Sequence, residues 1–204
     1  MTDLKQIFEA RRSINFFDSS KPLDEKLLEQ IINLATACPS AYNLQPWRVI
    51  AVRSAEGKKC LFELGGRQSK FLAAPVTLII VGDREGYGLS NPMWEELALR
   101  MDAERVAGAQ QFTAHLYGST EERKIKFAES NASLFAMSIM YAAKYYGVES
   151  HAASGIDFAG IKQAFKLKGG KEVVMVISLG YFDESKTLYP RARRLQYHEI
   201  VTQA

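Results

Sequence analysis

Between Asp24 and Pro39 the apolar residues Leu27, Leu28, Ile31, Ile32, Leu34 and Ala35 recur at helical spacing, which predicts a helix with one face turned inward. Asp24 stands in the N-cap position and Pro39 stops the element. A shorter helix is predicted from Leu4 to Glu9, running into Arg11-Arg12-Ser13, with Pro22 in the loop beyond. Glu122 to Tyr146 reads as a long helix whose second half is apolar nearly all round, the pattern of a helix at the centre of a domain. Amphipathic spacing predicts another helix around Trp94 to Ala107, and Asp157 caps a last one through Phe165. Strands are predicted where short β-branched runs occur, at Arg48 to Val52, Val76 to Val81, Val148 to Ala152 and Val173 to Leu179. Gly169-Gly170 turns the chain into the last of these. The stretch from Gly86 to Lys126, with charges and isolated aromatics, reads as an excursion over the core and a candidate pocket lid. No repeat, low-complexity tract or linker divides the chain, so one α+β domain over residues 1–204 is expected.

Composition narrows the function classes. With 204 residues, 47% of them hydrophobic, the chain can bury one substantial core, which argues against disorder. The net charge of +3 is dispersed among acids, so neither a nucleic acid nor a membrane surface is an expected partner. The longest apolar stretch, Ala132 to Ala143, is broken by Ser133 and Ser138 and is too short for a hydrocarbon layer of about 30 Å. Met1 to Lys5 lacks the apolar core of a secretory leader, and a cytoplasmic product is expected. Cys38 and Cys60 fit neither a disulfide framework nor a zinc site, and Cys38 reads as a small core hydrophobe.

Several chemistries lack their usual signatures. There is no Gly-x-Gly-x-x-Gly after a strand, no Walker loop and no Gly-x-Ser-x-Gly elbow. His115, His151 and His198 are far apart without ligand spacing, and no metal is expected.

Three segments carry polar groups suited to an anionic ligand. Arg11-Arg12-Ser13 offers two planar guanidinium groups and a hydroxyl, although a solvated helix end would look the same. Tyr189-Pro190-Arg191-Ala192-Arg193-Arg194 places Arg191 and Arg193 on one side of an extended segment, or is a basic tail. Pro39-Ser40-Ala41-Tyr42-Asn43-Leu44-Gln45-Pro46-Trp47 holds hydroxyl, amide and backbone donors between stiffening prolines, or is a helix-to-strand connector.

Taken in order along the whole chain, these segments, together with Ala73-Ala74-Pro75 before a strand and Gly155-Ile156-Asp157 opening a helix, resemble the nitroreductase family. Asn-x-Gln-Pro-Trp is the most specific part of the likeness. The resemblance implies a mixed, mostly antiparallel sheet surrounded by helices, in an intertwined homodimer with FMN at each of two interface sites. It also implies hydride transfer from NAD(P)H to a nitroaromatic, quinone or related acceptor. Arg11 and Ser13, with Arg12 between them, match positions at the flavin phosphate and polar ring edge, and Arg191 and Arg193 match a late basic pair at the phosphate. Pro39, Ser40, Ala41 and Asn43 match a loop reaching in from the partner subunit. Ser154 and Gly155 match the backbone near flavin N5, and Gln68 or Lys70 the pyrimidine edge.

Two positions depart from the pattern: Asn15 stands where many relatives carry Arg or Lys, and Ser154 where some carry an acid. Lys70 is then the candidate cation near flavin N1, with Arg11 as its substitute. The segment with Trp94, Phe112, His115 and Tyr117 is a candidate for shaping acceptor choice, with core packing the competing reading. Two rival readings are a flavin-binding sensor or carrier without turnover, and a basic domain binding nucleic acid through Arg191, Arg193 and Arg194.

Overall fold

The computed structural model describes residues 3–204; Met1 and Thr2, part of the stretch read above for a leader, lie outside the described residues. Four strands, β1 (Trp47–Val52), β2 (Val76–Asp83), β3 (Glu149–Ala153) and β4 (Lys171–Gly180), form one sheet in the order β1-β2-β4-β3. All three pairings are antiparallel, and among the described residues a parallel contact is confined to the isolated bridge from Ser13 to Ser150. Each expected strand is present with its ends shifted by a residue or two.

The sheet is covered on both faces, which explains why β2 is apolar without alternation from Leu78 to Val81. Leu78 and Ile80 of β2 pack beneath α2 (Glu25–Ala35) and α7 (Glu121–Tyr145), while Ile79 and Val81 face the opposite layer with Leu61, Phe71 and Ile161. That layer is built from α3 (Ala55–Leu64), α4 (Lys70–Ala73) and α8 (Phe158–Ala164). A register shift between Ile80 and Val81 is a bulge that leaves Val174 without a partner. Val174 and Met175 consequently both pack on the α2 and α7 side, and Val173 and Val176 both on the other. Helix α7 crosses β2 closely: a Cβ on Gly82 would stand 2.7 Å from the Ala128 carbonyl oxygen, so glycine is required there.

The remaining differences from expectation have local causes. Helix α2 ends at Ala35, before Pro39, through Ala37 N–H to Leu34 and Cys38 N–H to Ala35 bonds that tighten its last turn. Asp24 occupies the N-cap, its carbonyl accepting Leu28 N–H at 3.0 Å while its side chain accepts no backbone N–H, and Glu25 supplies first-turn negative charge. The helix expected over Trp94 to Ala107 is two helices, α5 (Met93–Ala98) and α6 (Ala103–Gly118). Between them, the Asp102 carboxylate accepts the Arg105 N–H at 2.9 Å and restarts the chain. Asp157 does cap α8, accepting Gly160 N–H at 2.9 Å, but α9 (Tyr197–Ile200) follows, so α8 is not the last helix. Cys38 packs against the α2–α7 core, and burial pushes its thiol pKa up.

Candidate functional site

Two segments distant in sequence meet at the free edge of β3. Helix α1 (Leu4–Ala10) ends at Arg11, whose backbone is extended, and Ser13 then bridges to Ser150 while Ile14 N–H donates to the Ser150 carbonyl at 3.2 Å. Ile14 is buried with Phe17 and Ala74, which leaves the intervening Asn15 and Phe16 at the rim of a cleft of about 320 Å³. Arg67, Gln68, Lys70 and Tyr189 line the same cleft.

Lys70 opens α4 and is only 4% exposed. Its Nζ donates to Gln68 Oε1 at 2.6 Å and lies 2.6 Å from His151 Nε2. Gln68 is held in turn by donating its amide to the Gly65 carbonyl at 2.7 Å. His151 Nδ1 stands 2.7 Å from the Ile14 carbonyl oxygen, which can only accept. The hydrogen-bond pattern therefore assigns the proton to Nδ1 and leaves Nε2 as acceptor for the ammonium. Burial lowers the Lys70 pKa to about 8, and burial followed by the Lys70 charge lowers that of His151. An ammonium has three donors and Lys70 uses two, so one remains for a ligand.

The late basic segment folds back on the first. Arg12 donates to the Tyr189 carbonyl, and the Tyr189 ring tilts against Phe16 at 5.6 Å between centroids. Arg191 donates to the Glu9 carbonyl and, at 3.2 Å, to that of Ala10, satisfying the open carboxyl end of α1. Arg193 donates from Nη2 to both Glu199 carboxylate oxygens at 2.6 Å, and this arginine holds the Glu199 carboxyl below its ordinary pKa. Ser154 and Gly155 follow β3 directly, exposed, three and four residues beyond His151.

Within one chain, the proline-bracketed loop does not line this cleft. Residues Ala41–Asn43 form a 3₁₀ turn, and Tyr42, Asn43 and Gln45 all have left-handed backbone, φ 49°, 55° and 47°. Ser40 Oγ accepts Gln45 N–H at 3.0 Å, and Asn131 of α7 accepts Ala41 N–H at 2.9 Å while donating to the Phe127 carbonyl. Tyr42, Asn43 and Gln45 border a different cavity, of about 320 Å³, against Met93 and Arg100. Trp94 is a core residue: it is 3% exposed, packs with Leu44 and Phe127, and donates to the Gly88 carbonyl at 3.0 Å. Phe112 and His115 lie exposed on α6, and Tyr117 packs on Phe127.

His151 and Asn131 escaped the sequence reading. For Asn131 a signal existed, a lone amide on the buried face shared by Phe127 and Phe135. His151 had none beyond its place in a strand. Among the described residues no cluster of His, Cys, Asp and Glu could hold a metal ion, and no helix is long and apolar enough to cross a membrane.

Comparison with known proteins gives the family and the fold. The sequence model of the nitroreductase family matches residues 8–181. The chain is 28% identical over 204 residues to MhqN of Bacillus subtilis (strain 168), a candidate NAD(P)H nitroreductase, covering 98% of each chain. Among solved structures, a candidate nitroreductase of Bacillus subtilis, ydfN, superposes with a TM-score of 0.90 at 27% identity over 98% of both chains. A candidate nitroreductase of Exiguobacterium sibiricum 255-15, in complex with FMN, shares the fold with a TM-score of 0.85 at 24% identity, over 100% of this chain and 98% of that one.

Proposed function

This chain belongs to the nitroreductase family, and from that premise we propose that it is an FMN-dependent enzyme passing a hydride from NAD(P)H to a nitroaromatic, quinone or related acceptor. The observation that carries the proposal is Lys70: a buried ammonium with an unused donor at a cleft lined by side-chain amides and aromatic rings. That set suits FMN. Lys70, Gln68 and Asn15 offer donors for the polar edge of a flavin, while Phe16 and Tyr189 offer apolar walls. Arg11, Arg12 and Ser13 do not line the cleft, but Arg12 reaches its wall at the Tyr189 carbonyl, and the three would serve an anionic tail.

FMN, when bound, supplies the reversible hydride chemistry that no side chain offers. The protein's task is then placement and charge. Lys70 would offer its cation to the polar edge of a bound flavin, and the backbone of Ser154 and Gly155 would help to hold the ring. Arg193, whose guanidinium holds the Glu199 carboxylate, would exchange that anion for the phosphate. Arg191 is held by the carbonyls of α1 and acts by fixing the late segment onto the first. The cleft is open, and Pro39, Ser40, Ala41 and Asn43 complete it from the partner subunit of a homodimer. NAD(P)H and the acceptor then occupy one place in turn, which gives ping-pong kinetics and removes the need for a dinucleotide fingerprint.

The test is a visible spectrum of the purified protein followed by anaerobic titration with NADH and with NADPH. Bleaching of a flavin spectrum by either nicotinamide supports the reading. A protein that stays oxidised is a carrier, and one that stays colourless and refuses added FMN overturns the assignment. Arg193→Ala is expected to weaken FMN retention by about 1.5 to 3 kcal/mol, the worth of a hydrogen bond to a charged group. Unchanged flavin affinity in that variant removes Arg193 from the site.

A further inference from the structure

We propose that His151 is a positioning residue: its imidazole fixes the Lys70 ammonium at the edge of the cleft between Asn15 and Tyr189 without neutralising it. The effect on a flavin rests on the function proposed above; the hold on Lys70 does not.

The reasoning begins with what a buried lysine needs. Its flexible stem lets the ammonium swing, and removal from water is costly unless acceptors replace the hydration. The usual acceptor is a carboxylate, which also cancels the charge. Among the described residues none lies within ion-pair distance of Lys70, and both of its partners, Gln68 Oε1 and His151 Nε2, are neutral acceptors. The ammonium is thus fixed in space with its charge intact, which favours a ligand edge that is or becomes negative.

His151 can play this part because its other nitrogen is occupied. The Ile14 carbonyl takes the Nδ1 proton at 2.7 Å, and Ile14 is itself 1% exposed and tied to Ser150 by its N–H. The Nε2 lone pair is thereby aimed at Lys70 by two rigid elements, β3 and the segment after α1. An imidazolium there would set two cations 2.6 Å apart in a buried place, so the ring stays neutral. Gln68 alone, on the same turn as Lys70, would move with it; His151 ties the ammonium to the sheet.

Two measurements test this. In protein labelled with ¹⁵N-histidine at neutral pH, His151 is expected as the neutral tautomer protonated on Nδ1, with an Nε2 resonance that moves in Lys70→Met. A proton on Nε2, an imidazolium, or an Nε2 resonance indifferent to Lys70→Met overturns the proposal, whether or not FMN binds. In the FMN-loaded protein, His151→Leu is expected to cut the preference for reduced over oxidised FMN about tenfold, a midpoint potential lower by ~30 mV for a two-electron couple. His151→Gln, whose carbonyl can accept from Lys70, is expected to recover more than half of that shift. Equal potentials in wild type, Leu and Gln variants, with only the melting temperature changed, assign His151 to packing alone. Failure to bind FMN at all removes the function proposed above and leaves the resonance test to decide the role of His151.

Discussion

Phe135→Ala is expected to lower the unfolding free energy by about 3 to 5 kcal/mol, the range for emptying a buried aromatic site. Phe135 is 2% exposed and lies flat on Trp47, with ring centroids 4.7 Å apart and planes 12° from parallel. The stack joins the middle of α7 to the first residue of β1. Its neighbours on the helix, Ala132 and Ala136, are too small to fill the gap, and the sheet beneath is held by pairing on both sides of β2. The cavity should therefore stay open. Urea denaturation reads the loss as a lower midpoint at constant slope. Phe112→Ala, at an exposed position of α6, is the control and should stay within about 0.5 kcal/mol of wild type. A Phe135 cost no larger than the control's would mean that this seam does not hold the domain together.

Lys70→Met is expected to abolish a pH dependence of stability. Burial holds the Lys70 pKa at about 8, below the ordinary 10.5 of an unfolded chain. Between those values the unfolded chain binds a proton that the folded chain has released, so the stability linked to Lys70 rises with pH across the window. Below pH 8 both states are protonated and the cost of burying the charge is complete. Relative to wild type, the methionine variant should be most favoured near neutral pH. That advantage should shrink by roughly 1.4 kcal/mol per pH unit above 8, and by roughly 3 kcal/mol in all as pH approaches 10.5. Denaturation of both proteins from pH 7 to 10.5 measures the difference. A gap that does not change with pH would place the Lys70 ammonium in water.

The elements that were legible in the sequence are those whose burial leaves a periodic trace. Strand β2 is covered on both faces and is apolar without alternation from Leu78 to Val81; α2 turns Leu28, Ile31 and Ala35 inward and shows a stripe. Helix α3 went unread because only Leu61 within it is buried, and α4 because it has a single turn. The break between α5 and α6 was hidden because the Asp102 side chain outcompetes an apolar spacing that runs straight through it. At the site, resemblance supplied Asn15, Gln68 and Lys70, and all three line one cleft. His151 was illegible for a physical reason: its partners Lys70 and Ile14 lie 81 and 137 positions away, and nothing local records that they meet. Likewise, the basic pattern at Arg191 could not reveal that this side chain closes the carboxyl end of α1.

The separation of those partners bears on how the molecule is made. The buried clusters reach no further than Leu188, whereas the cleft needs Tyr189 and the late arginines laid against the first fifteen residues. The wall of the cleft formed by Tyr189 is consequently added only after the residues of every buried cluster have been made. The sheet can condense while Tyr189 and the arginines beyond it are still being synthesised, so the core is able to form before they are laid against α1.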